Sequence, residues 1–395
     1  MTPSPLGRPV GSEEDVNVFK QFLRIQTVHP NPDLKACVQW LTAIGKELGL
    51  VQQVITFKEH MPIVVLSRLG KDPSLPTIGL SCHMDVVPVV AERWTKLPPG
   101  ETPFSAFEDA DGKIYARGAQ DMKCVGAQYL CALRRLASKP LLRTVHTIWA
   151  PDEEIGGEDG MRAFVTSPEF RRLNLACMLD EGLAFPENKY VIFTGERTSI
   201  WIKLAAEGPV GHGAKLIPNT AVDRLSKAIA RLTQLRDANV KRLESNTALT
   251  TGDVTTCNIT VVQAGVSSDG GKSFAQNVIP SEAYLLADIR VSLEDYPSVI
   301  AELKSIVSDL NLSISFTNEF DERHGPSPYT DRNSLWLKLL EQSIHQVVPD
   351  AAVERAIFPA ATDSRYVRRA GVPAFGFSPM RRTPSLLHDH NEYPE

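Results

Sequence analysis

The sequence predicts an α/β protein: a central mixed, mostly parallel sheet with flanking helices, interrupted by an inserted α+β unit of ferredoxin-like type. Three observations predict it. Short apolar runs bounded by turn residues, at 61–66, 77–82, 145–150 and 175–179, read as buried strands. Segments with apolar residues at helical spacing lie between them. From about Ser199 the order becomes strand, helix, strand, strand, helix, strand, which is the ferredoxin-like pattern, and after residue 325 the first texture returns. At 395 residues the chain exceeds what one core normally serves. The expected division is 1–196 and 321–395 for the two parts of the first domain and 197–320 for the insertion.

The elements follow in order. Residues 13–23 and 33–48 read as helices, the second with Leu34, Cys37, Val38, Leu41, Ile44 and Leu48 at helical spacing. The strand at 77–82 leads directly into His83-Met84-Asp85. Residues 88–114, rich in Pro, charge and aromatics without a sustained period, read as a long surface loop, and such loops tend to carry function. Gly118-Ala119-Gln120-Asp121 opens a helix over 122–138, with Asp121 where an N-cap belongs. The run 145–150 ends in the loop Pro151-Asp152-Glu153-Glu154-Ile155-Gly156-Gly157. A helix near 160–165 and the strand at 175–179 lead into Asp180-Glu181-Gly182.

In the insertion, strands are expected at 201–206, 254–262, 283–291 and 312–316, with helices at 219–243 and 299–310. The Gly- and Ser-rich stretch 264–276 reads as a hairpin tip. The returning part holds a helix at 335–347, a strand at 373–377 and the cluster His388-Asp389-His390-Asn391-Glu392. A domain of this class usually closes with a helix over its sheet, and none is read between Glu392 and Glu395.

A net charge of -5 without a basic stripe gives no electrostatic reason to expect nucleic acid as a partner. Residues 1–15 lack an apolar core behind a positive region, so no secretory signal is expected. No run approaches the roughly 18 apolar residues of a membrane span, and a cytoplasmic protein is the expectation. Cys37, Cys82, Cys124, Cys131, Cys177 and Cys257 are scattered without CxxC spacing. They read as reduced core residues, not zinc ligands or a disulfide frame.

Three apolar runs that each end in a metal-capable residue make a pattern, because open α/β sheets gather their sites at the carboxyl ends of strands. The proposed ligands are His83, Asp121, Glu154, Glu181 and His388, and mixed imidazole and carboxylate donors suit zinc, with manganese and cobalt also open by residue type. This set is too large for one tetrahedral ion. If Asp121 offers its two oxygens to different ions, each ion gains one His, one Glu and the shared Asp, with a water bridging ions about 3.5 to 4 Å apart. Glu153 is then free as general base on that water and as proton donor to a leaving amine. Asp85 is placed to accept the other ring N–H of His83 and fix its tautomer. Taken alone, the Glu153-Glu154 pair would be solvated surface and Asp121 a helix cap. His146 reads as a satisfied strand histidine and His390 as a packing residue, while His29, His60, His324 and His345 receive no role.

These motifs carry a resemblance. His83-Met84-Asp85, Gly118-Ala119-Gln120-Asp121-Met122-Lys123, Pro151-Asp152-Glu153-Glu154-Ile155-Gly156-Gly157, Asp180-Glu181-Gly182 and His388-Asp389-His390-Asn391-Glu392 resemble those of the zinc-dependent M20-type amidohydrolases and peptidases. Within that family the likeness is nearest to the aminoacylases, through residues 116–124, 359–366 and 377–380, and it spans the chain from the first helix to Glu392. It implies a dinuclear enzyme, with two Zn2+ per subunit, that hydrolyses N-acyl and chiefly N-acetyl L-amino acids. It implies His83 as ligand of one zinc, Asp121 as the bridge, Glu154 as ligand of the other and Glu153 as catalytic base. Glu181 and His388 are the remaining implied ligands.

The insertion is implied to act as lid and dimerisation domain of a homodimer, in which His212 after Gly211 steadies the oxyanion in the partner subunit's active site. Asn277 and Arg290 are implied to hold substrate, and an Arg fork suits a free α-carboxylate because it binds both oxygens. Gly213, where aminoacylases more often have Ala or Ser, and a longer loop before Asn277 depart from the pattern. Two other functions sit on the same scaffold: a dipeptidase of the same family and a catalytically silent metal-binding dimer. Retention of Glu153 with every ligand argues against silence.

Overall fold

The computed structural model describes residues 12–318, 320, 322 and 325–394. Residues 1–11, read above for a signal, and His324 lie outside the described residues. The chain divides into two compact units, one of Met1–Gly195, Thr330–Arg355 and Thr362–Glu395, the other of Glu196–Tyr329 and Ala356–Ala361.

The first unit starts with α1 (Glu13–Arg24), which opens on a capping box between Ser12 and Asp15. In α2 (Leu34–Glu47) the Asp33 carboxylate accepts the Ala36 N–H. There follow β1 (Val51–Lys58), β2 (Met61–Arg68), β3 (Thr77–His83), α3 (Lys123–Leu136), β4 (Val145–Ala150), β5 (Leu175–Asp180) and β6 (Lys189–Glu196). The chain then enters the second unit through β7 (Thr198–Glu207), α4 (Ala221–Ser245), β8 (Thr256–Ala264), β9 (Glu282–Val291), α5 (Tyr296–Leu310) and β10 (Ser313–Phe316). It ends with α6 (Leu335–Val347), β11 (Ala352–Phe358), α7 (Ser364–Arg369) and β12 (Ala374–Gly376).

The large sheet has eight strands in the order β1-β2-β4-β3-β5-β12-β6-β11. Its middle is parallel: β3 pairs with β4 on one side and β5 on the other, and β5 with β12, all in the same direction. Side chains alternate across the sheet, so both faces must be covered. Val64, Leu66 and Trp149 pack with Phe22, Leu41 and Leu130 of the first three helices. Ile63, Val65 and Ile148 face the other way, onto Phe164, Phe170 and Val367. Gly126 lets α3 lie close on the sheet, since a Cβ there would stand 2.6 Å from Cys82 Sγ and 2.7 Å from the Trp149 ring. All six cysteines are buried and free.

The second unit holds a four-stranded sheet in the order β8-β9-β7-β10, antiparallel throughout, which is the ferredoxin-like order expected from the sequence. Alternation on β7 buries Ile200, Ile202, Leu204 and Ala206 against Leu225 and Leu232 of α4 and Val299, Leu303 and Ile306 of α5.

Because β3, β4 and β5 are adjacent and parallel, His83, the loop after Ala150 and the loop after Asp180 leave the sheet along one edge. That edge carries the chemistry.

Candidate metal centre

His83 closes β3 and is 2% exposed. Its Nδ1 lies 2.9 Å from the Asp85 carbonyl oxygen, which accepts that ring N–H and turns Nε2 inward. That Nε2 is 3.0 Å from Oδ1 of Asp121. The second oxygen of Asp121 is 3.1 Å from Nε2 of His388, and the same nitrogen is 3.1 Å from Oε2 of Glu154. One carboxylate therefore addresses two imidazoles with separate oxygens. Asp121 is not the helix cap it resembles in sequence: the cap position falls on Met122, which has no side-chain cap bond.

Glu153 and Glu154 begin a single 3-10 turn, Glu153–Ile155, that ends on the left-handed glycines Gly156 and Gly157. The amides at the start of such a turn need acceptors. Asp85 supplies both, taking the Glu153 N–H at 3.2 Å on Oδ1 and the Glu154 N–H at 3.0 Å on Oδ2. Asp85 thus carries a further task beside its place at the His83 ring N–H. Its carboxylate, with Oδ1 3.5 Å from His83 Nδ1, is engaged by the turn and by His29, while its carbonyl lies closer to that ring nitrogen. Nε2 of His29 lies 2.8 Å from Oδ2 of Asp85, and both residues are buried. The His29 imidazole is raised, chiefly by that hydrogen bond.

On the far side of the turn, Arg365 and Tyr366 of α7 both donate to the Gly156 carbonyl, each at 2.6 Å. Asp363 is 2% exposed, and neither of its carboxylate oxygens has a hydrogen-bond partner among the described residues. Asp180 at the end of β5 accepts the Ser364 hydroxyl at 2.7 Å, so it holds the loop that presents Glu181.

Two groups of ligand atoms result. His83, Glu153 and Glu181 each place one atom within 4.8 Å of the others, as do His83, Asp121 and Glu154. His388 adds to the second group through Asp121 and Glu154. The presence of Glu153 in the first group differs from the ligand pairing drawn from sequence and sets it beside His83 and Glu181. The electrostatics are those of crowded buried anions. Burial pushes the Glu153 carboxyl well up, with Asp363 and Glu154 adding to the shift against His83. Burial does the same to Glu181, helped by Glu153 and Asp121. Burial would also raise Asp121, but the facing His388 and His83 rings hold it well below the usual carboxylate range. The His388 imidazole is raised to about 10, first by Asp121 and then by Glu154.

These residues fit a metal. Buried carboxylates are tolerated when paired or metal-bound, and Oε1 of Glu154, buried without a hydrogen-bond partner among the described residues, is an orphan that a cation would satisfy. The donors are imidazole nitrogens and carboxylate oxygens, the set that zinc accepts. His212, Asn277 and Arg290 lie in the second unit. His212 sits on a short ribbon, Gly211–His212 paired with Val278–Ile279, and its Nδ1 accepts the Ala214 N–H at 3.1 Å. The Asn277 carbonyl accepts the Gly213 N–H at 2.8 Å, which brings it beside His212. Arg290 on β9 forks onto Asp288, Nε to Oδ1 at 2.7 Å and Nη2 to Oδ2 at 3.1 Å.

Sequence reasoning missed His29 and gave Asp363 no role. No local signal marks His29. Asp363 lies in a stretch already noted for its resemblance, which was the available pointer.

The chain is similar to several known proteins. Aminoacylase-1 of Dictyostelium discoideum is 38% identical over 394 residues, covering 97% of this chain and 93% of that protein. Aminoacylase-1 of Mus musculus is 40% identical over 390 residues, covering 97% and 91%. Among solved structures, the M20 family metallo-carboxypeptidase Sso-CP2 from Sulfolobus solfataricus shares the fold with a TM-score of 0.71 at 19% identity, over 97% of this chain and 95% of that one. Residues 79–395 match the family described as Peptidase family M20/M25/M40, and the chain belongs to that family.

Proposed function

We propose that this protein hydrolyses the amide bond of N-acyl, chiefly N-acetyl, L-amino acids, using two zinc ions held by His83, Asp121, Glu154, Glu181 and His388. The observation that carries the reading is Asp121 between the two imidazoles, with one oxygen toward each. The aminoacylase-1 relatives, about two-fifths identical over nearly the whole chain, support the substrate class. Bound zinc would supply Lewis acidity, polarising the acyl carbonyl and acidifying a water.

The chain's own residues do the rest. Glu153, with a carboxyl raised by burial, is suited to take a proton from the attacking water as its oxygen bonds to the acyl carbon. It then returns that proton to the amine nitrogen as the C–N bond breaks, releasing a carboxylate and a free amino acid. His212 is assigned to the oxyanion, and Asn277 and Arg290 to the substrate. For Arg290 to take an α-carboxylate it must share or exchange its present fork on Asp288. The chain is proposed to act as a cytoplasmic homodimer through the second unit, where β8 is an edge strand with Val261 and Val262 exposed. Sedimentation velocity tests that assembly.

The test of function is release of free methionine from N-acetyl-L-methionine by the zinc-loaded protein, beside Glu153→Ala and beside methionine dipeptides. Loss of the general base should lower kcat by about 10² or more. Preference for dipeptides would move the assignment to a dipeptidase. Absence of turnover on either substrate, with both ions bound, would overturn it.

A further inference from the structure

The segments that carry Asp121 and His388 are remote in sequence, and a buried ion pair ties them together. Arg117 is 2% exposed and Glu392 fully buried. Arg117 Nη1 donates to Oε2 of Glu392 at 2.8 Å and to the Asp389 carbonyl at 3.2 Å, while Nη2 donates to the His388 carbonyl at 3.3 Å. The Glu392 carboxylate in turn accepts the backbone N–H groups of Gln120 at 2.5 Å, Asp121 at 3.2 Å and Gly118 at 3.3 Å. Gln120 completes the tie from its side chain. Its Nε2 donates to the carbonyls of Pro384 at 2.8 Å and Tyr393 at 2.7 Å, and its Oε1 accepts the Leu386 N–H at 2.9 Å.

None of these three side chains is in the ligand set, yet Glu392 and Arg117 fix the backbone of a ligand, and Gln120 fixes that of residues on either side of His388. Glu392 holds the Asp121 amide. Arg117 holds the carbonyl of His388, whose backbone is left-handed with φ 61. The His388 ring is 54% exposed, so side-chain packing does little to fix it and its backbone brace matters more. His83 and Glu181 hang on the ends of β3 and β5 and owe nothing to this tie.

We infer that Arg117, Gln120 and Glu392 are positioning residues that set the Asp121–His388 pair and so govern metal affinity, more strongly for the ion that His388 holds than for the other. This rests on the dinuclear reading above. A broken tie would loosen most the ion held by His388, Asp121 and Glu154, and less the one beside His83 and Glu181, which shares only Asp121 with the tie, because outer partners tune affinity through the ligands they orient.

The experiment is a zinc titration of metal-free protein against a chromophoric chelator, which resolves stepwise affinities, for the natural chain, Glu392→Gln and Gln120→Ala. Urea midpoints of the metal-free proteins and kcat across free zinc concentration accompany it. One step should weaken by about 10- to 100-fold in Glu392→Gln, and less in Gln120→Ala, with the other step weakened by a clearly smaller factor. At saturating zinc kcat should recover, with the zinc requirement displaced by the same factor. Gln120→Ala, which leaves the ion pair intact, carries the test should Glu392→Gln not fold. Lower urea midpoints with both zinc steps unchanged would reduce the tie to a fold clamp and overturn the inference, and equal weakening of both steps would do the same. Uptake of a single ion by the natural chain would overturn the dinuclear reading itself, a result visible before any variant is compared.

Discussion

Oδ2 of Asp121 stands 3.1 Å from Nε2 of His388, on the opposite oxygen from the one that meets His83 at 3.0 Å. A carboxylate used in this way serves two partners and cannot be replaced by an amide, which would turn one acceptor into a donor facing a cation. Asp121→Asn should therefore strip both zinc ions, whereas Glu181→Gln should strip one. Metal content after dialysis against limiting zinc reads the difference. Full zinc retention in Asp121→Asn would show that the carboxylate does not bridge.

Asp85 is the hinge between the acidic turn and the first imidazole. Its carboxylate receives the Glu153 and Glu154 amides and the His29 ring, and its carbonyl fixes the His83 tautomer. Asp85→Asn keeps the size and the carbonyl but sets an NH2 group against N–H donors. The expected result is a fall in kcat of about 10- to 100-fold with KM little changed, since the group acts on the ligands and base and not on substrate. His29→Ala should shift kcat in the same direction by less. A change confined to KM would place Asp85 in substrate binding instead.

Gly157 carries two constraints that can be separated. Its φ is +70, and a Cβ there would lie 2.3 Å from Oδ1 of the buried Asp363. Gly112 has φ +82 with nothing within 4 Å. Gly112→Ala should cost only the left-handed backbone penalty, about 1–2 kcal/mol. Gly157→Ala should exceed it by about 1–3 kcal/mol as the collision is relieved, and activity should fall with it because the displaced turn carries Glu153 and Glu154. Urea unfolding of the pair gives the comparison, and equal losses would mean that Asp363 moves aside freely.

The legible parts of this fold are those where a chemical signal and a structural one share the same residues. The apolar run before His83 is β3, and the one before Asp180-Glu181 is β5, so strand and ligand announce each other. The second unit was legible because β7 and β9 alternate cleanly. β1 was not read, and the reason is physical: it is an edge strand whose burial follows no period, with Val51, Val54 and Phe57 exposed. His29 with Asp85, 56 positions apart, and Arg117 with Glu392, 275 apart, are contacts that no local period can encode. Asp121 was ambiguous from sequence, since an Asp before a helix is usually a cap. Only the two imidazoles that face it decide the matter.

His146 lies beyond the metal centre and provides a pH-dependent test of the sheet. It is buried on β4 opposite Ser67 of β2, whose hydroxyl lies 2.8 Å from Nδ1. Burial lowers its imidazole from the model-compound 6.5 to about 4, against a hydrogen bond to the Leu173 backbone that raises it. The unfolded chain thus takes up a proton as pH falls through 6.5, while the folded chain does not until about 4. Stability from this residue is complete above the unfolded value and drains away as pH falls between the two. The full loss is on the order of 3 kcal/mol, about 2 kcal/mol of it by pH 5. His146→Asn offers an acceptor near the position of Nδ1 and does not titrate. Urea unfolding at pH 7.5 and pH 5 should show the natural chain losing about 2 kcal/mol more than the variant, because other titrating groups cancel in the difference. Equal losses would mean that His146 takes its proton within the folded sheet, and the β2–β4 pairing would then have to open to solvent well above pH 4.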